Sequence, residues 1–125
     1  MKILNKSKYD KLWQLAVCYI ASNRCQLNYD ENCTYMAYNG AHHLVPRKNL
    51  NYRFDMNNGF AVCPSCHQWI EEHPKEFDTI IQTMYPSVRL FLDSAIERSA
   101  NEEIINEQIA RLEDYCRLNG LQPSN

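Results

Sequence analysis

Cys63-Pro64-Ser65-Cys66 constrains this chain more than any other feature. Two thiols three positions apart follow a short apolar run, Phe60-Ala61-Val62, and precede a helical pattern, so both can approach one metal ion from the start of a helix. In an oxidising compartment the same pair would read as a disulfide. Lys2-Ile3-Leu4 and its neighbours contain neither an apolar stretch of about 7 to 15 residues nor a small-residue cleavage site. A cytosolic setting is therefore expected, where such a pair is a metal half-site or a redox dithiol. The redox reading asks for a βαβ context that the pattern lacks.

A tetrahedral zinc needs two more soft ligands. Cys25 and Cys33, separated by seven residues, are the best candidates, because a loop of that length can fold back over a metal, although spacings of two to four residues are commoner. Cys18 is the substitute should one of them fail. Otherwise Cys18 and Cys116 fall at or near the apolar faces of helical segments and read as small buried hydrophobes.

Helical periodicity brackets this cysteine-rich centre. Leu12, Leu15, Ala16, Tyr19 and Ile20 predict an amphipathic helix over residues 8–22 with Ser7 as its cap. From Arg24 to Asn58 the helical period disappears. Short β-prone runs over residues 34–38 and 43–45 take its place, with turn signals at Asn39-Gly40 and Asn57-Asn58-Gly59. Beyond Cys66 the sequence predicts a helix from Gln68 to Glu72, another opened at His73-Pro74 and ended by Pro86, an apolar helical stretch from Val88 to Ile96, and a last helix over 101–118 with Gly120 as its cap. The expected fold class is α+β in one domain of 125 residues. Residues 1–23 form an N-terminal helix, 24–73 a zinc-stabilised β-hairpin-plus-helix module, and 74–125 a C-terminal helical extension.

No apolar run approaches the roughly 18 residues of a membrane span, so no membrane partner is expected. The formal net charge of −2 carries no global signature of a nucleic-acid binder. Its distribution says more: residues 1–58 carry eight basic and four acidic side chains, and residues 59–125 carry five basic and eleven acidic. An anionic partner would meet the first half. The acidic final helix is a poor contact for such a partner, and its apolar stripe either closes the core or forms a homodimer seam.

All four histidines lie between Cys25 and His73. His42 and His43 are adjacent at a strand start, so their rings point to opposite faces and suit different jobs, one holding a metal and the other free as a base. Asn58 precedes the cysteine pair by five positions and His67 follows it directly. Arg47, Lys48 and Arg53 lie between the His pair and Asn58, beside Tyr52, where they either hold phosphates or form a solvated basic loop.

The string His42-His43-Leu44-Val45-Pro46, followed by Asn57-Asn58-Gly59-Phe60-Ala61-Val62-Cys63-Pro64-Ser65-Cys66-His67, resembles the HNH motif of the His-Me finger, or ββα-metal, endonucleases. The resemblance spans residues 25–73, and the Cys25-Gln26 lead-in is similar to that of small phage and prophage nucleases, which supports the Cys25/Cys33 half-site. It implies a ββα-metal fold and hydrolysis of phosphodiester bonds in nucleic acid, DNA being the expected form, in a bacterial or phage-infected cytosol. His43 would be the general base that takes a proton from water. His42 and His67 would ligate a catalytic Mg²⁺ or Mn²⁺, and Asn58 would fix the hairpin geometry. Cys25, Cys33, Cys63 and Cys66 would hold a structural Zn²⁺. Many members carry a further His at the position occupied here by Glu71, which either completes a carboxylate-containing cation site or is a solvated helix-surface residue. The alternative for the whole chain is a zinc-dependent nucleic-acid-binding module without catalytic activity.

Overall fold

Leu12, Trp13, Ala16 and Val17 recur at helical spacing and form the buried stripe of α1 (Lys6–Ile20). The structure, a computed structural model, describes residues 3–38, 40–95 and 99–123, so Asn39 of the expected turn and Ile96 of the third apolar stretch lie outside the described residues. Asn5, not Ser7, caps α1, in the left-handed conformation (φ 59°) that asparagine tolerates. The helix stops at Ile20, short of the expected end, because Ser22 and Asn23 both turn to positive φ.

Two short strands follow, β1 (Ala41–His43) and β2 (Gly59–Ala61), paired antiparallel with His42 opposite Phe60 and His43 opposite Gly59. Residues 43–45 were expected as one run, yet β1 ends at His43. Likewise the run 34–38 forms no strand, but a single bridge between Met36 and Arg24. The one-turn helix α2 (Leu50–Arg53) sits inside the connection and has no periodic signal in the sequence.

Strand alternation divides the interior in two. Ala41 and Ala61 face α1, in a core with Trp13, Ala16, Phe54, Ile105 and Leu112. Phe60 and Val62 face the other way, with Cys63, Cys66, Ile70, Phe77 and Ile81. α1 can lie this close to the sheet because position 59 has no side chain: a Cβ on Gly59 would stand 2.5 Å from Val17 Cγ2 and 3.0 Å from the Trp13 ring.

Three helices in succession open on proline at the first helical position, α3 (Pro64–Glu72), α4 (Pro74–Met84) and α5 (Pro86–Ser94). Proline lacks the N–H that this position leaves unpaired, and it keeps the preceding residue out of helical geometry. Cys63, His73 and Tyr85 are consequently the cap residues, and Pro86 starts α5 as well as following the end of α4 at Met84. α6 (Glu102–Leu118) is capped by Asn101, whose Oδ1 accepts from Ile104 N at 3.2 Å. Its stripe of Ile105, Leu112 and Cys116 is buried in the core with α1, closing the interior from within the chain. Among the described residues the fold is α+β, with six helices and a two-stranded antiparallel sheet. Among the described residues no helix is long and apolar enough to cross a membrane.

Candidate metal centre and histidine site

Cys25 leaves α1 through a turn, and the chain then runs out and back to Cys33. Cys25 N donates to Tyr35 O at 3.0 Å and Ala37 N to Asn23 O at 2.9 Å, so the outgoing and returning strands of this loop are tied together. Gln26 fastens the loop to the sheet: its N–H donates to Ala61 O, and its Oε1 accepts from Ala61 N, both at 2.8 Å. Tyr85 of the α4–α5 junction donates its hydroxyl hydrogen to Gln26 O. Held in this way, Cys25 and Cys33 meet Cys63, the cap of α3, and Cys66 in its first turn.

The four Sγ atoms lie within 4.8 Å of one another. Zn–S bonds of about 2.3 Å in a tetrahedron require S···S separations of about 3.8 Å, so the cluster needs only slight contraction to hold a zinc ion. Cys63 and Cys33 already stand 3.7 Å apart. Backbone N–H groups point at the sulfurs, Asn28 to Cys25 at 3.4 Å and Tyr35 to Cys33 at 3.3 Å. Burial pushes the Cys33 thiol up to about 12. At Cys63 burial also raises the pKa, but hydrogen bonds from the Ser65 hydroxyl and the Cys66 backbone outweigh it and bring the thiol down to about 6. These hydrogen bonds favour the thiolate form at Cys63, whereas burial raises the pKa of Cys66 in the same turn. The donor set is all sulfur, which suits a soft or borderline ion such as zinc and not a hard cation. Cys18 and Cys116 take no part. Both are buried in the α1–α6 core, and Cys18 donates its S–H to Gly40 O at 3.3 Å.

The histidine pair is divided by the sheet. His42 shares a face with Phe60, and its ring lies 5.5 Å from Phe77 and 5.5 Å, edge-on, from His67 of α3. Burial, reinforced by His67 and His43, brings the His42 pKa down to about 4, so its imidazole is neutral and available as a ligand at pH 7. Glu71 Oε1 lies 3.7 Å from His67 Nε2, one turn along α3. A groove of about 700 Å³ opens beside His67, lined by Met36, Tyr38 and Pro64 among others. Among the described residues, the four cysteines are the group of three or more ligands whose donor atoms stand within 4.8 Å of one another; His42, His67 and Glu71 are not such a group.

His43 faces the opposite way. Its ring stacks on Trp13 of α1, centroid to centroid 3.7 Å and inclined by 4°. His43 Nε2 lies 3.1 Å from Arg53 O. A carbonyl oxygen only accepts, so Nε2 carries the hydrogen and Nδ1 is the basic nitrogen. Burial lowers the His43 pKa, which keeps the ring neutral at physiological pH.

Asn58 is fully buried and fully bonded. Its Oδ1 accepts from Val45 N at 2.6 Å, and its Nδ2 donates to Val45 O at 2.9 Å and to Tyr52 O at 3.0 Å. The side chain thereby locks the connection between the strands. Asn51, which the sequence reading passed over, is also buried: it accepts from Asn101 N at 2.7 Å and donates to Ser99 O at 3.0 Å, tying α2 to the start of α6.

Arg47 and Lys48 are exposed at the surface. Arg53 is placed differently: its guanidinium makes a two-pronged ion pair with Asp10 of α1 at 2.7 and 2.9 Å, its side chain only 13% exposed. His73 stacks on Trp69 and caps the α3–α4 junction. In the sequence Asp10 is one charge among many and Trp13 one aromatic residue of a helical stretch. Neither carries a signal linking it to a histidine thirty or more positions away. Compared with known proteins, the chain matches no family model, no curated protein and no solved structure.

Proposed function

We propose that this chain is a divalent-metal-dependent endonuclease of the HNH type, with β1, β2 and α3 as its ββα-metal module and the four cysteines as a structural zinc site. The observation that carries the reading is the pairing of His42 with His67 across the hairpin and the following helix, rings 5.5 Å apart. Support also comes from His43, whose Nε2 is engaged by Arg53 O and whose Nδ1 is therefore the proton acceptor. The proposed substrate is DNA, with Arg47 and Lys48 as phosphate contacts.

His42 and His67, with Glu71 beside them, would hold the catalytic Mg²⁺ or Mn²⁺. Such an ion, when bound, stabilises the charge that develops on the phosphate and the leaving oxygen. The chain's own part is to supply a base. His43 Nδ1 takes a proton from water as the water oxygen bonds to phosphorus and the P–O3′ bond breaks. The 3′ oxygen gains a proton from solvent, the 5′ phosphate remains, and His43 returns its proton to solvent. Asn58 keeps residues 45 and 52 together, so that the strand carrying His43 and the helix carrying Arg53 stay in register.

The test is plasmid cleavage by zinc-loaded protein with Mg²⁺, Mn²⁺ or Ni²⁺, beside His43→Ala. Nicking by wild type and not by the variant is the expected result. Salt-sensitive binding without cleavage under any of the ions would overturn the enzyme in favour of an inactive zinc-dependent binding module. On the side of that second reading, among the described residues the cysteines, and not His42, His67 and Glu71, are gathered as a group that could hold a metal ion.

A further inference from the structure

Helix α1 lies outside the span of the HNH-like motif, yet it grips three consecutive residues at the exit of α2. Asp10 holds the Arg53 guanidinium through Nε and Nη2. Tyr9 packs edge-on against Phe54, with centroids 6.1 Å apart. Trp13 donates its indole Nε1–H to Asp55 O at 2.8 Å. The first of these three residues accepts the His43 Nε2–H, and the indole that binds the third stacks flat on the His43 ring. A five-membered ring has two freedoms here, rotation about its own axis and choice of tautomer. The stack restricts the first, and the carbonyl decides the second.

We infer that α1 is a positioning element for the His43 imidazole, acting through Asp10, which anchors the backbone that presents Arg53 O, and through Trp13, which fixes the plane of the ring. This rests on the reading of His43 as the general base. Asp10 reaches the imidazole only through two hydrogen bonds with the whole of Arg53 between them, so it is a positioning residue and not a catalytic one. The arrangement also explains why a fully buried tryptophan meets an imidazole face to face: the aromatic body supplies apolar core on one side and a flat platform on the other.

The experiment uses the zinc-loaded full chain and two readouts, the protonated nitrogen of His43 seen in long-range ¹H–¹⁵N correlation spectra and the steady-state constants of cleavage. Wild type should show the Nε2–H form alone. Asp10→Ala, at a partly exposed position, should fold yet show both tautomers, with kcat down about 10- to 100-fold and KM changed by less than about twofold. Asp10→Glu, which retains the carboxylate, should recover the single tautomer. Trp13→Phe keeps a ring against His43 and gives up the bond to Asp55 O, and should fall between the two. An unchanged single tautomer in Asp10→Ala overturns the inference, whether or not kcat falls, since a fall alone would then reflect general loosening. Absence of cleavage by wild type would sink the nuclease reading separately, and the spectra would still decide the positioning role.

Discussion

Asn58 grips both ends of Val45: its Oδ1 accepts the Val45 N–H, and its Nδ2 donates to the Val45 carbonyl. With the third bond to Tyr52 O, one buried amide does the work of a missing pair of strand residues. Asn58→Ala would leave buried backbone groups without partners, so a loss of about 2–4 kcal/mol is expected in urea unfolding of the zinc-loaded protein. Asn58→Asp should be no better at neutral pH, because it sets a carboxylate oxygen against two carbonyls. A change within about 0.5 kcal/mol for the alanine variant would contradict the clamp.

The approach of α1 to the sheet depends on Gly59. Gly59→Ala places a methyl group 2.5 Å from Val17 Cγ2 and should cost about 1–3 kcal/mol through overpacking. Val17→Ala opens space at the same contact. In a double-mutant cycle the pair should therefore cost less than the two single changes added together, and strict additivity would show that the clash is relieved elsewhere.

Elemental analysis should find one zinc per chain, held by Cys25, Cys33, Cys63 and Cys66. Cys63→Ser or a strong chelator should unfold the loop 25–37 and lower the melting temperature sharply, since structural zinc contributes about 10–16 kcal/mol of apparent binding energy in small domains. Cys116→Ala removes a thiol from the core alone and should leave the zinc content unchanged. Equal zinc loss in both variants would refute the assignment of ligands.

Asp55 supplies a pH test of stability. Burial raises its pKa in the folded state, so the folded protein holds this proton more tightly than the unfolded chain does. The carboxyl therefore costs nothing below the unfolded pKa near 3.9, and its penalty grows as pH rises through the folded value. Asp55→Asn keeps an oxygen to accept from Asn57 N and removes the charge. The variant should melt above wild type at pH 7, with the gap closing towards pH 4. A gap independent of pH would rule out ionisation as its cause.

The sequence revealed those parts of the molecule that depend on local chemistry. The spacing 63/66 and the prolines at 64, 74 and 86 mark helix starts without reference to any neighbour, and Asn58 stands in a turn it helps to build. What it concealed are contacts made across distance. Asp10 and Arg53 are 43 positions apart, and each looks like an ordinary surface charge until folded. α2 escaped notice because a single helical turn has no period to detect. The run 34–38 has strand-forming residues but lies at the edge of the metal loop, where tertiary ties to Asn23 and Cys25 outrank propensity.

β1 is three residues long and sends neighbouring imidazoles to opposite compartments of the protein. Loss or gain of a single residue between Gly40 and His42 would exchange their addresses, delivering His43 to the phenylalanine side and His42 to the tryptophan. Length at this point is thus as consequential as the identity of either histidine, and a deletion that keeps both imidazoles would still abolish whatever the two rings accomplish together.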